Sequence, residues 1–476
     1  MKIYQLTVQK IAEMSARREI KAQEVLESIS ERINQVENRI QAFTTITLEQ
    51  AKKSAIEIDR QGEITGLAGI PFGIKDNLCT RGIKTTCASK MLEDFVPPYD
   101  ATVVSRLHSA GAVMAGKTNM DEFAMGSSTE NSGFFPTRNP WDLTRVVGGS
   151  SGGAAAAVAA GEVFYALGSD TGGSIRQPAS FCGVVGMKPT YGRVSRYGLV
   201  ACAASMDCVG TVTRNVTDCA LVMNAICGHD VLDSNSLQAE VPDYTSFLQT
   251  DIKGMKIGFP REYFRDEVDQ SVKDTVKKAL LKYEELGAVV EETSLPHSIY
   301  ALPVFRIIVS AEASSSLARF DGVRYGYRDM NAEDIAEMMS SSRACLGAEV
   351  KQRILLGTYV LSKDAYEAYY LKAMKVRRLI KEDFDRAFEK YDLLVSPTAI
   401  STAFKIGERS EMSDILTIPA NLAGIPSISI PGGMVENLPV GLQLMGRPLE
   451  EGTVLKAAYA FEQATDYHLR TPVLEV

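Results

Sequence analysis

The first sixty residues follow the polar and apolar pattern of amphipathic helices. Glu, Lys, Arg and Gln dominate this stretch, and apolar side chains recur at helical intervals, at Val25, Ile29, Ile33, Val36 and Ile40. An apolar residue at every third or fourth position forms a stripe along one face of a helix. We therefore predict two or three helices here and treat residues 1–60 as a helical segment packed on the core.

Beyond residue 61, short apolar runs alternate with helical patterns. We predict strands at 67–75, 112–117, 163–167, 255–259, 392–396 and 426–430, and helices at 102–111, 154–160 and 268–287. Strands that alternate with helices favour an α/β sheet covered on both faces. Because neither an internal repeat nor a low-complexity linker divides this region, we predict one domain over 61–476, with a mainly helical insertion at about 300–390.

Composition and charge narrow the classes of protein. The chain has 476 residues, with 51 Lys+Arg against 59 Asp+Glu and a net charge of −8, which excludes a basic nucleic-acid-coating protein. Its apolar runs fall short of the roughly 18–20 residues of a membrane span. The N-terminus resembles neither a secretory signal nor a transit peptide. The eight cysteines form no C-x-x-C pair, so we expect reduced thiols, no metal site and a cytoplasmic protein without membrane contact.

Residues 111–118 match the G-x-x-x-x-G-K-T pattern of a phosphate-binding loop. An ATP-binding protein that uses Lys117 and Thr118 is therefore one alternative. A phosphate cradle needs its middle residues in an open loop after a strand, whereas Ala-Val-Met-Ala is typical of a buried strand and follows a predicted helix. We expect a structural strand here.

Residues 148–153 match G-x-S-x-G in two overlapping frames, which is the pattern of a hydrolase nucleophile elbow. That mechanism needs a histidine base. The four histidines of the chain lie outside Gly-rich or polar motifs, at His108, His229, His297 and His468. A flexible linker is the other interpretation, but a linker would not continue directly into a helix of alanines and a buried strand.

Lys75, Ser150 and Ser174 offer a third chemistry. Ser174 lies in a glycine-rich stretch, 168–178, whose glycines allow several backbone N–H groups to converge as in an oxyanion hole. A serine hydroxyl needs a base, and a lysine that burial keeps neutral can serve in a histidine-poor chain. Lys75 ends a predicted apolar strand, and Ser150 could relay a proton between the Lys75 amine and the Ser174 hydroxyl.

The two stretches 148–153 and 168–174 resemble the Gly/Ser-rich signature of the amidase signature family. Further similar segments extend over most of the chain, at 69–77, 119–128, 181–197, 311–322 and 421–426. The resemblance implies the fold of that family, an α/β fold with a central mixed β-sheet flanked by helices on both faces and a mainly helical inserted region. It also implies that residues 61–476 form an amidase catalytic domain.

The same resemblance assigns a Ser–cisSer–Lys triad. Ser174 falls on the acyl nucleophile, Ser150 on the bridging serine and Lys75 on the base, and the peptide bond between Gly149 and Ser150 is expected to be cis. The oxyanion donors implied are the backbone N–H groups around Thr171, Gly172, Gly173 and Ser174.

Within the family, the chain is most similar to the glutamine-hydrolysing subunits of tRNA-dependent amidotransferases. This implies glutamine as substrate, a γ-glutamyl ester on Ser174, and ammonia passed to a B subunit in an assembly with a C subunit. That B subunit would use ATP and Mg to amidate Glu-tRNA(Gln) and/or Asp-tRNA(Asn) and would make most of the contact with the misacylated tRNA. No cofactor is then expected in this chain.

The resemblance also points to two substrate-binding residues. Arg353 matches the cation for the α-carboxylate of glutamine, which the planar guanidinium can bind through both oxygens. Asp414 matches the anion for the α-ammonium group. A stand-alone amidase of the same family that acts on another small amide has the same triad and remains the alternative.

Overall fold

Thirteen strands, eleven of them in one sheet, organise the part of the chain that the structure describes. The computed structural model describes residues 2–62, 66–408 and 414–474. The strands are β1 (Phe43–Ile46), β2 (Pro71–Lys75), β3 (Val113–Thr118), β4 (Arg138–Asn139), β5 (Asp142–Val146), β6 (Tyr165–Asp170), β7 (Val185–Lys188), β8 (Cys208–Thr213), β9 (Lys256–Pro260), β10 (Val289–Thr293), β11 (Leu393–Pro397), β12 (Ser427–Val435) and β13 (Leu438–Gly446).

Fourteen α-helices accompany these strands in the same ranges. They are α1 (Val8–Ala16), α2 (Ala22–Ile40), α3 (Leu48–Gln61), α4 (Thr102–Ser109), α5 (Gly152–Ala160), α6 (Arg176–Cys182), α7 (Val216–Ile226), α8 (Gln270–Glu285), α9 (Ala301–Ser316), α10 (Ile335–Ala344), α11 (Ala348–Val360), α12 (Lys372–Lys390), α13 (Ile418–Ala423) and α14 (Glu451–Gln463). The predicted strands and helices are all present, with bounds shifted by a few residues.

The large sheet is mixed. Its order is β1-β3-β2-β6-β8-β7-β12-β13-β11-β9-β10, and β4 and β5 form a separate ribbon. The pairs β3–β2–β6 and β11–β9–β10 are parallel, whereas the strands between β6 and β11 pair antiparallel. The predicted α/β class with a central mixed sheet and flanking helices is confirmed.

The N-terminal segment joins the sheet as well as covering it. The apolar stripe of α2 is buried as its spacing predicts, with Val25, Ile29 and Val36 fully enclosed. Between α2 and α3, β1 pairs antiparallel with β3 at the sheet edge. The Asp218 carboxylate of α7 accepts hydrogen bonds from the first backbone N–H groups of α1. The division of the chain at residue 60 stays a prediction.

The stretch from 301 to 390 is mainly helical, as predicted, and its apolar side chains belong to a second apolar core that residues from elsewhere in the chain, such as Met91, Phe123 and Met445, complete. Helix α9 packs against α11, α12 and α13. One helical segment of the described chain, Pro296–Arg319, is long and apolar enough to cross a membrane by composition, and half of its most apolar window is buried inside the fold. It contains α9, whose apolar face meets the other three helices, so packing within the fold accounts for its composition.

The segment that matches a phosphate-binding loop is the strand β3, all six residues of which are buried. Lys117 is enclosed, and its Nζ donates to Leu78 O at 2.6 Å and to Thr85 Oγ1 at 2.8 Å. The amine also lies 3.8 Å from the Asp76 carboxylate. Because Lys117 is surrounded by protein acceptors and its backbone is an extended strand, the alternative of a phosphate cradle at these residues is wrong.

Candidate active site

Lys75 is the last residue of β2, in the interior of the sheet, and is fully buried. Its Nζ lies 2.7 Å from Ser150 Oγ. The amine also donates to Ser169 Oγ at 2.9 Å and to Ser169 O at 3.2 Å. The three partners account for the three N–H bonds of an ammonium group, so the amine is fixed in direction towards Ser150.

Ser150 follows a cis peptide bond, Gly149–Ser150, as predicted. The preceding amide is held by Gln177, whose Oε1 accepts from Gly149 N–H at 2.8 Å. On the other side, Asp121 N–H donates to Ser150 O at 3.3 Å. A Cβ on Gly149 would overlap the Asp121 carboxylate, so the close approach requires glycine at this position. Ser150 therefore sits in a loop held from both sides.

Ser174 lies in the turn between β6 and α6 and keeps 7% of its surface exposed. Its carbonyl accepts from Ser151 N–H at 3.0 Å, which joins this turn to the loop of Ser150. No hydrogen bond to another described residue engages the Ser174 hydroxyl. The structure thus brings Lys75, Ser150 and Ser174 into one buried region, with Ser174 at its open side.

The turn around Ser174 is built on the Asp170 carboxylate. That carboxylate accepts from the N–H groups of Gly173 at 2.9 Å and Ile175 at 3.1 Å. It also forms a two-point ion pair with the fully buried Arg176. Burial raises the pKa of the Asp170 carboxyl, but the Arg176 guanidinium outweighs that effect and holds the pKa below its usual value. An ionised carboxylate therefore shapes the turn at neutral pH.

Arg176 connects this turn to the C-terminal third of the chain. Its guanidinium donates to Gln443 Oε1 at 2.7 Å, Asn421 Oδ1 at 2.5 Å and Thr417 O at 3.1 Å. A buried arginine whose N–H groups reach several acceptors is expensive to displace, because each freed acceptor would remain buried without a donor. The network fixes the turn rigidly.

The predicted oxyanion donors differ in their availability. The N–H of Gly173 already donates to Asp170, so it is engaged. Within the described residues, the N–H groups of Thr171, Gly172 and Ser174 donate to no protein acceptor. The geometry therefore leaves these three to receive a developing negative charge.

Two glycines of this turn are required by close packing. A Cβ on Gly172 would lie 2.5 Å from the Phe305 ring of α9, and a Cβ on Gly173 would overlap the Thr417 side chain. Gly173 also has a φ of +133°. Thr417 Oγ1 lies 2.7 Å from Gly172 O and 2.9 Å from Asp414 O, so its single O–H can donate to either carbonyl. The turn is thus enclosed by α9 on one side and by the segment before α13 on the other.

Arg353 and Asp414, the two predicted substrate-binding residues, lie in different parts of the fold. Arg353 lies on α11 and is partly exposed, and its Nε donates to Glu349 Oε1 at 2.7 Å. Its charge and that of Lys75 both act on the buried Cys202 thiol, so both cations lie within electrostatic range of one group. The backbone of Asp414 is joined to the turn through Thr417. The structure thus joins the backbone of Asp414 to this turn, and the role of both side chains in binding substrate stays a prediction.

Burial sets the electrostatics of Lys75. It lowers the pKa of the amine from 10.5 to about 7, against the opposing effect of nearby carboxylates, Asp121 first. Burial also raises the pKa of Asp121 and of Asp207, in each case to about 6. A lysine with this pKa is neutral in a large fraction of molecules at neutral pH, as a general base must be.

Sequence reasoning missed the residues that hold the site together. Ser169 contacts the Lys75 amine, and Asn77 donates to Ser169 Oγ at 3.0 Å. The two serine loops, which carry Ser150 and Ser174, are supported by Asp121, Gln177 and Arg176. Asn77 and Asp121 stand in segments that carried the family resemblance, so their positions could have been noted. Their partners could not, because the contacts join distant parts of the chain.

Other chemistries find no support in the described chain. His297 Nδ1 lies 2.9 Å from Asp383 Oδ1 of α12, and His229 Nδ1 contacts Ser236 O at 3.3 Å, so both histidines are engaged away from the serines. No group of three or more His, Cys, Asp or Glu placed to hold a metal ion occurs in the residues described. The eight cysteines are free thiols.

Comparison with known proteins adds three findings. A family model described as Amidase matches residues 24–455. The A subunit of the Glutamyl-tRNA(Gln) amidotransferase of Moorella thermoacetica is 60% identical over 487 aligned positions, which cover 100% of both chains. The A subunit of the same name from Carboxydothermus hydrogenoformans is also 60% identical, with the same coverage.

Solved structures agree with these matches. The crystal structure of the A subunit of Glutamyl-tRNA(Gln) amidotransferase from Thermotoga maritima superposes with a TM-score of 0.84 at 41% identity, covering 100% of this chain and 99% of that one. A bacterial aryl acylamidase superposes with a TM-score of 0.86 at 28% identity and 97% coverage of each chain. The fold is thus shared by proteins whose names refer to different amides.

Proposed function

The chain belongs to the amidase family, and from this premise we propose that it is the glutamine-hydrolysing subunit of a tRNA-dependent amidotransferase. The observation that carries the chemistry is the buried Lys75 amine, 2.7 Å from Ser150 Oγ and beside the turn of Ser174. The choice of glutamine is supported by relatives that match the full chain and bear the name of a Glutamyl-tRNA(Gln) amidotransferase.

The first half of the proposed reaction forms an ester. Neutral Lys75 accepts a proton from the Ser150 hydroxyl while Ser150 accepts one from Ser174, and Ser174 Oγ attacks the side-chain amide carbon of glutamine. The N–H groups of Thr171, Gly172 and Ser174 receive the charge on the amide oxygen. The proton returns through Ser150 to the leaving nitrogen, and ammonia departs from a γ-glutamyl ester on Ser174.

The second half releases glutamate. A water molecule takes the place of ammonia, the Lys75–Ser150 pair removes its proton, and its oxygen attacks the ester carbon. Collapse breaks the bond to Ser174 Oγ, which recovers its proton. The sum is glutamine and water to glutamate and ammonia, with the three side chains unchanged.

Substrate selection rests on two charged groups in this proposal. Arg353 binds the α-carboxylate of glutamine through its two terminal nitrogens, while its Nε stays bonded to Glu349. Asp414 binds the α-ammonium group. In this arrangement the γ-amide of the bound glutamine is the end that faces Ser174.

The proposed assembly divides the labour. Ammonia passes to a B subunit, which binds ATP and Mg and amidates Glu-tRNA(Gln) and/or Asp-tRNA(Asn). A C subunit completes the complex. The B subunit makes most of the contact with the misacylated tRNA. The buried Lys117 supports this division, since the one nucleotide-binding pattern noted in the sequence is a structural strand. We place the complex in the cytoplasm.

The test is ammonia release from glutamine by the purified chain, alone and with candidate B and C subunits. Ser174→Ala is expected to abolish release and to prevent trapping of the ester by hydroxylamine, whereas Ser271→Ala on the surface of α8 serves as the matched control. Activity that depends on Ser174 and increases with the partners supports the proposal. Activity indifferent to partners, or higher on other amides, would favour the stand-alone amidase.

A further inference from the structure

Glu122 is a buried carboxylate that the proposed reaction leaves without a role. It is 3% exposed and lies in the short segment between β3 and the β4–β5 ribbon. One carboxylate oxygen accepts from the Ser89 hydroxyl, and Oε2 accepts from Gly347 N–H at 2.7 Å. No cation lies within 4 Å of it among the described residues, so these two bonds hold a buried acid in place.

Gly347 is the residue before the first turn of α11. Its backbone is extended, and a glycine has no side chain with which to cap the helix. The first N–H groups of a helix have no partner within it, and a negative charge there is favoured by the helix dipole. Glu122 therefore caps α11 from another part of the chain. A Cβ on Gly347 would overlap Glu122 Oε2, which explains the glycine at this position.

The residue before Glu122 contacts the loop of Ser150. This residue, Asp121, donates its backbone N–H to Ser150 O at 3.3 Å. The Asp121 carboxylate accepts from Thr129 N–H at 3.0 Å and from Asn131 N–H at 3.1 Å. Two adjacent acids thus contact two different structures, Asp121 the loop of Ser150 and Glu122 the start of α11.

Helix α11 carries Arg353, six residues beyond Gly347, which is about 9 Å along a helix axis. The C-terminal half of α11 packs closely against α9, where a Cβ on Gly357 would overlap the Ser310 carbonyl. The contact with Glu122 fixes its N-terminal end. Contacts near both ends restrain a helix from sliding and pivoting, and so restrain the distance between its side chains and the loops that carry Ser150 and Ser174.

We propose that Glu122 is a positioning residue for Arg353, which holds the first turn of α11 and thereby sets the distance between the Arg353 guanidinium and Ser174. The inference rests on the proposed function, in which Arg353 binds the α-carboxylate of glutamine. Since that contact exists both in the bound substrate and in the transition state, its displacement weakens binding more than it slows the chemical step.

The test uses Glu122→Gln in the glutaminase assay, with the chain alone and assembled with its partner subunits. We expect the KM for glutamine to rise about tenfold while kcat changes less than about threefold. The rate at which a small sulfonyl fluoride modifies Ser174 should stay unchanged, because this reagent has no α-carboxylate. Glu262→Gln is the matched control, since Glu262 also accepts from a serine hydroxyl and a backbone N–H but lies away from α11.

A double-mutant cycle separates positioning from a general structural effect. In an Arg353→Ala background, Glu122→Gln should cause no further rise in KM, because the group it positions is gone. The proposal is overturned if Glu122→Gln raises KM as much without Arg353 as with it. It is also overturned if the Glu262→Gln control raises KM as much as Glu122→Gln does. If Arg353→Ala itself leaves KM unchanged, the assignment of Arg353 to the substrate fails instead, which is a different result.

A milder variant covers the case in which Glu122→Gln does not fold. Ser89→Ala removes one of the two contacts and leaves the carboxylate and its bond to Gly347 in place. It is expected to raise KM in the same direction by a smaller factor, and again only when Arg353 is present. A Ser89→Ala chain that folds and keeps the wild-type KM, together with a misfolded Glu122→Gln chain, would count against positioning.

Discussion

The lowered pKa of Lys75 makes a quantitative prediction for the pH dependence of glutamine hydrolysis. With a pKa of about 7, the neutral fraction of the amine is about 9% at pH 6 and about 91% at pH 8. kcat/KM should therefore rise about tenfold between these pH values and reach a plateau above pH 8. A lysine at its ordinary pKa would instead give a rise of about a hundredfold over the same interval, with no plateau.

The assay is initial-rate ammonia release from about pH 5.5 to 9.5 at constant ionic strength, with protein integrity checked at each pH. Lys75→Arg is the matched variant, because a guanidinium stays charged throughout this range and cannot accept the proton. Its residual activity should be flat with pH. A wild-type profile that is independent of pH, or one still rising steeply at pH 9, would refute the lysine base.

The same pKa has a consequence for folding, which gives an independent measurement. Between pH 7 and 10.5 the unfolded chain binds a proton at Lys75 that the folded chain does not, so this residue makes stability rise with pH. The slope from one such proton is at most about 1.4 kcal/mol per pH unit. In Lys75→Met this contribution disappears, so denaturant unfolding at pH 7 and pH 9 should differ less than in the wild type.

Two further predictions concern glycine packing and the buried lysine of β3. Gly173→Ala should lower the free energy of unfolding by about 1–3 kcal/mol from the backbone alone, and it should abolish activity because its Cβ overlaps Thr417. Gly254→Ala is the control, since Gly254 also has a positive φ but lies in open space. In thermal melts and activity assays this control should fold normally and keep full activity. Lys117→Met should destabilise the chain by about 3–5 kcal/mol, since Asp76 is left as an unpaired buried charge, whereas exposed Lys277→Met should be neutral. Calorimetric titration of the wild-type chain with ATP should show no binding, and measurable affinity lost in Lys117→Met would contradict the assignment of β3.

Local patterns predicted six of the thirteen strands of the described residues, and they did not predict contacts between distant residues. The stripe of α2 and the apolar runs of β2 and β3 were sufficient to place these elements, because periodicity and burial act within one segment. In the hairpin of β12 and β13, only the first strand was predicted. Its second strand contains a proline and two glycines and is buried on both faces, so it lacks the alternation of a half-exposed strand.

In the candidate site too, the sequence identified some residues and could not identify others. Ser150, Ser174 and Lys75 could be proposed from glycine-rich motifs and a histidine-poor composition, together with the family resemblance. The guanidinium of Arg176 could not be given a role, because its acceptors Thr417, Asn421 and Gln443 lie 241, 245 and 267 positions away along the chain. The engagement of Gly173 by Asp170 depends on a side-chain rotamer that no motif encodes.

The contacts of Arg176 with the C-terminal third of the chain also bear on when the active site can form during synthesis on the ribosome. All three proposed catalytic side chains have been synthesised by residue 174, less than halfway along the chain, yet the guanidinium behind them binds Thr417, Asn421 and Gln443. Since chains emerge from the N-terminus, the nascent protein holds every reacting group long before it holds the supports that shape them. We therefore expect a chain that ends before Thr417 to release no ammonia from glutamine, although it contains all three proposed catalytic side chains.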